Sequence, residues 1–339
     1  MTLRRLLYVF VLVLLGSAWL PLASAQAATS GGSTPPLIAA WDGSANVWAK
    51  QGSLTAAWTE EYGPSTPYFA VASDPTNGPL IAVIDSSGNV WAKEGSLTAP
   101  WVEEFSGAES ATGSVSVASD PTNGPLIAVI DTHGNVWAKE GSLTAPWVEE
   151  YSGASVAAGD VAVASDATNG PLIAVLEEND NVWAKEGSLT SPTWVEEYAD
   201  AIAVAVASDP TNGPLIAVFD DSNGNVYAKE GSLTSPTWVE EYATAAPFLA
   251  VASDATNGPL IVVSDRNNDN LYAKEGSLTS AWVEEVASGT VYFAVASDPT
   301  NGPLVAEFDG SNVWAKEGSL TAAWTEERTI ATPFLAVAG

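Results

Sequence analysis

The sequence predicts an all-β protein, a seven-bladed β-propeller with four antiparallel strands per blade. The stretch NVWAKEGSLTAPWVEE occurs twice without change, from Asn89 and from Asn135, and five near-copies follow the same pattern. The opening Asn residues lie 43, 46, 46, 44, 45 and 42 residues apart: Asn46, Asn89, Asn135, Asn181, Asn225, Asn270 and Asn312. Short β-branched runs and turns at this period are typical of propeller blades, whereas helical repeats would show a 3.6-residue periodicity.

Each period divides into four short strands. In one copy we expect strands at 115–118, 126–130, 136–139 and 147–151, with turns at 120–124 and 131–134 and a loop at 141–146. The Asn-Gly turn between two apolar runs is a strong hairpin signal, because both residues tolerate the positive φ of such turns.

The two ends of the chain predict how the ring closes. The repeat region starts on a second strand at 36–40, and it ends on a first strand at 333–338 whose six residues, PFLAVA, repeat those at 247–252. First, second, third and fourth strands then number seven each. One blade must therefore combine the C-terminal strand with three N-terminal strands, which leaves no open blade edge.

The N-terminus is typical of a secretory signal peptide. Arg4 and Arg5 precede an apolar run at 6–15, and Ala-Ser-Ala at 23–25 matches a cleavage signal. We therefore expect a signal peptide over 1–25, a short linker over 26–35, a propeller over 36–339, and secretion into the extracellular space. The chain has no Cys, so its stability must come from the core rather than from disulfides.

The charge balance excludes some partners. Removal of the leader lowers the count of Lys and Arg from 11 to 9, against 41 acidic residues. The negative electrostatic field of such a chain repels nucleic acid and anionic membrane surfaces. No run after the leader is long and apolar enough for membrane insertion. At 46% hydrophobic and 15% charged residues, the chain is nevertheless globular rather than a disordered acidic tail.

Two loops vary much less than the others. Because strands alternate in direction, the loop after the first strand and the loop after the third lie on one face of the disc, which we call the constant face. The sequence D-[PA]-T-N-G-P occurs there six times and G-S-L-T seven times. Turn chemistry explains the first loop, since Asn-Gly suits a hairpin and Asp caps it. It does not demand the Leu of the second, which could instead fill space between neighbouring blades.

All Lys residues occupy one position of the repeat, near the end of the third strand: Lys50, Lys93, Lys139, Lys185, Lys229, Lys274 and Lys316. A pair of Glu residues lies on the neighbouring fourth strand of every copy. One interpretation is a Lys–Glu pair across two strands of the same blade that fixes their register. The other is a polar cleft in which Lys and Glu bind sugar hydroxyls.

Two sets of aromatic residues also recur. The third strand carries Trp48, Trp91, Trp137, Trp183, Tyr227, Tyr272 and Trp314, which we expect in the core between blades. The fourth strand opens with Trp58, Trp101, Trp147, Trp194, Trp238, Trp282 and Trp324. This second set starts at the rim of the constant face. It could be core, or it could be a platform on which a sugar ring stacks beside carboxylates and an ammonium group. These Trp and the Lys set are the candidate ligand-binding residues.

Several chemistries are disfavoured, and we expect neither an enzyme nor a cofactor. A sialidase needs an arginine cluster, but only Arg266 and Arg328 lie outside the leader. The run 265–270 approaches a calcium loop but lacks its Gly and its terminal acid. The single histidine, His133, stands in a turn, and zinc or cysteine chemistry lacks ligands. Seven equivalent carboxylate pairs also match poorly with one asymmetric glycosidase site.

The order of signals resembles that of a known lectin family. The order is a fourth-strand Trp, then a V-x-V strand, then a second apolar strand, and then G-N-[VL]-[WY]. This order is similar to that in the repeats of tectonin/tachylectin-like β-propeller lectins, including secreted bacterial seven-bladed lectins. The similarity runs from Pro36 to Gly339. It implies glycan recognition, often multivalent, by clefts between blades or on a disc face.

Two functions of different classes follow. The first is a secreted lectin with several equivalent weak sites for glycans or glycoconjugates, where repetition adds avidity. The second is a non-catalytic scaffold with purely structural repeats that binds surface proteins or the cell envelope.

Overall fold

The computed structural model describes residues 35–64, 68–108, 115–152, 161–287, 289–290, 292–329 and 334–339. These residues contain 28 β-strands, arranged in seven four-stranded antiparallel sheets. The predicted seven-bladed β-propeller is therefore confirmed. The expected signal peptide (1–25) and most of the linker (26–35) lie outside the described residues.

The strands are numbered in chain order, and each blade runs from an inner first strand to an outer fourth strand. Blade 1 consists of β28 (Phe334–Ala338), β1 (Leu37–Trp41), β2 (Val47–Gln51) and β3 (Thr59–Tyr62). Blade 2 has β4 (Phe69–Asp74), β5 (Gly78–Ile84), β6 (Asn89–Glu94) and β7 (Val102–Ser106). Blade 3 has β8 (Val115–Asp120), β9 (Gly124–Ile130), β10 (Val136–Glu140) and β11 (Val148–Tyr151). Blade 4 has β12 (Val161–Asp166), β13 (Gly170–Leu176), β14 (Val182–Glu186) and β15 (Val195–Tyr198).

The remaining three blades follow the same order. Blade 5 has β16 (Ala201–Asp209), β17 (Gly213–Asp220), β18 (Asn225–Glu230) and β19 (Val239–Tyr242). Blade 6 has β20 (Ala245–Asp254), β21 (Gly258–Asp265), β22 (Leu271–Glu275) and β23 (Val283–Val286). Blade 7 has β24 (Tyr292–Asp298), β25 (Gly302–Phe308), β26 (Asn312–Glu317) and β27 (Thr325–Thr329).

The C-terminal strand closes the ring. β28 pairs with β1, with Leu37 opposite Ala338 and Trp41 opposite Phe334. It also packs against the first strands of both neighbouring blades, β24 and β4. The split blade predicted from the two chain ends is thus confirmed, and no blade of the ring is left without a neighbour on either side.

The core lies between the blades, because both faces of each inner strand are covered. Leu126, Ile127 and Val129 of β9 are fully buried, and the equivalent strands of the other blades repeat this burial. Shared apolar clusters form where side chains of one blade face side chains of the next blade. This two-sided burial explains why the second strands are continuous apolar runs rather than alternating ones.

The first turn is tighter than the sequence suggested. Asp120 and Gly124 form the last pair of the β8–β9 ladder, so the loop has only three residues. The Asp120 carboxylate accepts from the backbone N–H groups of Thr122 (2.8 Å) and Asn123 (2.9 Å). It also accepts from the Ser165 hydroxyl of the next blade, at 2.5 Å. This loop therefore caps its own turn and ties its blade to the next one.

The outer strands carry an irregularity that decides where side chains point. The register between the third and fourth strands shifts in every blade; in blade 2 the shift lies between Val90 and Trp91, with Val90 opposite Phe105 and Trp91 opposite Glu103. Glu104 is the extra residue of this bulge. As a result Glu104 and Phe105 both reach the next blade, where they meet Lys139 and Trp137 respectively.

Candidate functional site

Every Lys is buried at the junction between two blades. The side chains are 2–4% exposed, and each ammonium forms an ion pair with the second Glu of the pair on the preceding blade. The pairs are Lys50–Glu327, Lys93–Glu61, Lys139–Glu104, Lys185–Glu150, Lys229–Glu197, Lys274–Glu241 and Lys316–Glu285. The predicted Lys–Glu pair within one blade is therefore wrong. The bulge directs the second Glu away from its own third strand and toward the next blade.

A second acceptor completes the surroundings of each Lys. Lys185 Nζ donates to the backbone carbonyl of Leu189, at 2.8 Å, and every other Lys bonds the equivalent Leu of its own G-S-L-T loop. The Leu side chains pack into the clusters between blades, as Leu143 does between blades 2 and 3. The recurrence of Leu in this loop, which no turn type requires, thus has a structural explanation.

The fourth-strand Trp residues lie in the same junctions. Each ring centroid is 5.0–5.7 Å from the Lys Nζ of its own blade. Trp101 Nε1 donates to the backbone carbonyl of Glu61, at 2.9 Å, and five other members of the set make the equivalent bond. The structure therefore brings the two predicted candidate sets together, and it engages both in contacts that join blades. All seven Trp are half-buried.

Burial affects the ionisation of this arrangement. It raises the pKa of Glu61 and Glu104, although the hydrogen bonds and charges of their Lys partners oppose the shift. It lowers the pKa of Lys50, Lys274 and Lys316 to about 8. Breaking such a pair would leave an isolated charge in a dry junction, so its main effect is to hold one blade in place on the next.

A second layer of each junction is aromatic in five of the seven junctions. The residue that follows the Glu pair contacts the next blade: Tyr62, Phe105, Tyr151, Tyr198, Tyr242, Val286 and Arg328. We call this the junction position. The ring of Tyr62 meets Trp101 edge to face at 4.9 Å and lies 6.4 Å from Trp91, centroid to centroid. This position was not among the predicted site residues, although five of its seven members are Tyr or Phe directly after the Glu pair.

The third-strand aromatics are half-buried rather than full core residues. Trp91 Nε1 donates to Asp85 Oδ2 at 3.0 Å. Asp85 in turn accepts from the backbone N–H groups of Ser87 and Asn89. Burial acts to raise the pKa of Asp85, but these hydrogen bonds outweigh it and hold the pKa below its ordinary value. Only the Val and Ala of the NVWA segment are fully buried, as Val90 and Ala92 show.

An exposed carboxylate lies across from each third-strand aromatic. The first Glu of every pair is exposed and stands opposite that ring in the strand ladder: Glu60, Glu103, Glu149, Glu196, Glu240, Glu284 and Glu326. In blades 5 and 6, Tyr227 and Tyr272 donate their hydroxyls to Glu240 (3.2 Å) and Glu284 (3.1 Å). The outer wall therefore presents, once per blade, a half-buried ring beside an exposed carboxylate.

No group of three or more His, Asp or Glu side chains in the described ranges is placed to hold a metal ion. The run 265–270 forms a turn closed by hydrogen bonds to Asp265. None of the described segments forms a helix long and apolar enough to cross a membrane.

Comparison with known proteins gives structural similarity only. No protein-family model matches the chain, and no curated protein matches it in sequence. Among solved structures, BP39L lectin from Burkholderia pseudomallei is similar with a TM-score of 0.67 and 14% identity, over 92% of this chain and 100% of that one. SapL1 lectin, solved with alpha methyl fucoside, has a TM-score of 0.54 and 11% identity, over 78% and 96% of the two chains.

One similar solved structure is described as an enzyme rather than as a lectin. A putative 6-phosphogluconolactonase from Bacteroides fragilis is similar with a TM-score of 0.58 and 12% identity, over 91% of this chain and 98% of that one. At these identities the similarities establish the β-propeller fold, and they do not transfer a ligand or an activity.

Proposed function

We propose that the chain is a carbohydrate-binding protein with several equivalent weak sites around the outer wall of the propeller, and that it has no catalytic activity. The observation that carries this proposal is the sevenfold pairing of a half-buried third-strand ring with an exposed Glu. A pyranose ring offers C–H groups that stack on such an aromatic face and hydroxyls that donate to a carboxylate.

The two predicted residue sets take different roles in this proposal. The fourth-strand Trp residues border the same clefts between blades, so direct sugar contact remains a prediction for Trp58, Trp101, Trp147, Trp194, Trp238, Trp282 and Trp324. The Lys residues have no exposed ammonium, since burial, a Glu and a backbone carbonyl surround each one. They would act by positioning the Trp ring that each of them contacts.

Repetition matters for how such a protein would work. Single sites of this openness bind weakly, but several of them on one rigid ring can hold a branched or clustered glycan with much higher avidity. Secretion directed by the leader, and a place among the tectonin/tachylectin-like lectins, belong to the same proposal. Both are consistent with a target on cell surfaces or in extracellular glycan debris.

The experiment is a glycan array with the intact protein and with a variant in which all seven exposed Glu residues are changed to Gln. Because Gln keeps the shape and the Glu side chains are exposed, the variant should fold normally. Loss of the charge should weaken each sugar contact by about 1 kcal/mol, roughly fivefold in affinity per site. Absence of any saccharide binding at millimolar concentrations by the intact protein would refute the proposal.

A structural scaffold is the alternative, and one observation favours it. The two residue sets that recur most faithfully, Lys and fourth-strand Trp, are both used to join blades. A folded protein that binds no saccharide on the array would fit the scaffold instead.

A further inference from the structure

Two of the seven junctions depart from the others, and they are adjacent. In five junctions an aromatic residue of one blade fills the space beside the two aromatics of the next blade. Between blades 7 and 1 this junction position is Arg328, and between blades 6 and 7 it is Val286. Arg328 and Val286 therefore show what the space beside the two aromatic residues of the next blade can hold.

Arg328 shows that a cation fits this space. Its guanidinium carbon lies 3.9 Å from the centroid of Trp48 and 5.5 Å from that of Trp58. The carboxylates of Asp42 and Glu60 interact with it electrostatically. Asp42 accepts from Trp48 Nε1 at 2.8 Å, and Glu60 stands opposite Trp48 in the strand ladder. Two indole rings and two carboxylates thus surround one organic cation.

The junction between blades 6 and 7 has the same surroundings without the cation. Trp314 and Trp324 occupy the positions of Trp48 and Trp58. Asp309 accepts from Trp314 Nε1 at 2.8 Å, and Glu326 stands opposite Trp314 in the ladder. The junction position is the short, half-buried side chain of Val286, which packs against the same apolar cluster as Trp324. Val286 carries neither the ring nor the charge that fills the other junctions.

A further substitution at this junction adds a third carboxylate. In blades 2–6 the second-strand residue opposite the third-strand aromatic is a Val, as Val83 is opposite Trp91. In blade 7 it is Glu307, opposite Trp314. Paired residues of an antiparallel ladder project from the same face, so Glu307 and Trp314 both face blade 6. Glu307 is 4% exposed and accepts a hydrogen bond from the Thr290 hydroxyl.

We infer that the junction between blades 6 and 7 binds an organic cation, namely the protonated amine of an amino sugar, between Trp314 and Trp324. The inference rests on the proposed carbohydrate binding and names the sugar class for this one site. The ammonium group takes the place that the Arg328 guanidinium occupies in the next junction. Asp309, Glu326 and Glu307 supply the negative charge, and the sugar ring lies against the indole faces.

The test compares a tetrasaccharide of glucosamine with its fully N-acetylated counterpart, which has the same rings but no charge. Titrations are carried out at physiological ionic strength in neutral buffer, because burial raises the pKa of Glu307 and acid would remove its charge. Indole N–H signals are followed by NMR. We expect the free-amine sugar to bind at least tenfold more tightly and to shift the signals of Trp314 and Trp324 before those of other Trp residues.

Three variants separate this site from general attraction to an acidic protein. Val286→Tyr installs the residue that four other junctions carry, so it should fold, fill the space and weaken free-amine binding at least tenfold. Glu307→Val, the residue of five other blades, should weaken it through loss of charge. Arg328→Val vacates the equivalent space between blades 7 and 1 and should raise the number of amine sites from one to two.

The outcomes are distinct. Equal binding of the free-amine and N-acetylated sugars would overturn the cation inference and leave carbohydrate binding intact. Free-amine binding that is unchanged in both Val286→Tyr and Glu307→Val would also overturn it, since the attraction would then be nonspecific. If neither sugar binds and a glycan array is also negative, the proposed function itself fails.

Discussion

Lys139 shows why a charged residue can recur seven times without being a ligand site. Its side chain is 3% exposed, its ion-pair partner Glu104 is 1% exposed, and the two belong to different blades. A buried pair adds little net stability compared with apolar residues, but removal of one partner leaves an isolated charge in a dry place. The pair therefore specifies how blades 2 and 3 meet.

Lys139→Met should accordingly destabilise the protein by about 3–5 kcal/mol, because Glu104 is left buried and unpaired. The double variant Lys139→Met with Glu104→Leu removes both charges and should recover most of that loss. Urea unfolding of the three proteins measures the difference. Equal destabilisation in the single and double variants would mean that the charge of Glu104 is not what matters.

The Glu residue at the end of the third strand predicts that the stability of the protein depends on pH. Burial, with added repulsion from acidic neighbours such as Asp120, raises the pKa of Glu140 to about 7, and burial with repulsion from Asp166 does the same for Glu186. The Oε1 atoms of both lie buried without a hydrogen-bond partner among the described residues. The folded state therefore binds protons more tightly than the unfolded state, and these groups make stability fall as pH rises from their ordinary pKa toward about 7.

The protein should be more stable at mildly acidic pH than at slightly alkaline pH, by the contribution of these groups. Glu140→Gln with Glu186→Gln should flatten the dependence and stabilise the protein at the higher pH; blade 1 already carries Gln51 at this position. Melting temperatures across the pH range test this. An unchanged slope in the double variant would assign the dependence to other carboxyl groups.

At the scale of elements, the two loops that form each part of the constant face contact each other, and this packing accounts for their limited variation. Gly124 ends the first turn with φ of +77°, and a Cβ added there would lie 2.7 Å from the carbonyl oxygen of Gly141 in the G-S-L-T loop. The two loops that vary least are thus in contact with each other. Their constancy is explained by packing and by bonds such as Ser165 to Asp120.

Two glycine substitutions test that explanation. Gly107 also has a positive φ, of +94°, but a Cβ there would meet nothing within 4 Å. Gly107→Ala should cost only about 1–2 kcal/mol for the left-handed conformation. Gly124→Ala carries the same conformational cost and must in addition displace backbone, so it should be clearly more destabilising. Similar unfolding midpoints for the two variants would show that the loops do not pack as described.

The strand pattern was predictable from sequence, whereas the direction of outer side chains was not. Apolar runs, Asn-Gly turns and the matching chain ends were enough to define four strands per blade and the closure by β28. A bulge between third and fourth strands has no sequence signal in a single chain, yet it turns Glu104 and Phe105 toward the next blade. The partner of each Lys therefore could not be chosen by strand alternation alone.

At the scale of the whole molecule, ring closure links all blades into one unit. β28 pairs with β1 and packs between β24 and β4, so it completes two junctions at once. A chain that stops after residue 329 would expose the edge of β1 together with two apolar blade faces. We expect such a chain to aggregate or unfold in a broad transition, as measured by light scattering and calorimetry. A monomer with the stability of the full chain would contradict closure by this strand.

The proposed function also depends on the whole ring, since weak sites become useful only through repetition. The most direct measurement is a calorimetric titration of the intact protein with the best saccharide from the glycan array, to obtain the number of sites per chain. We expect weak binding with a stoichiometry above one, reduced in the seven-site Glu→Gln variant. A single site unaffected by those changes, or no saccharide binding at all, would contradict it.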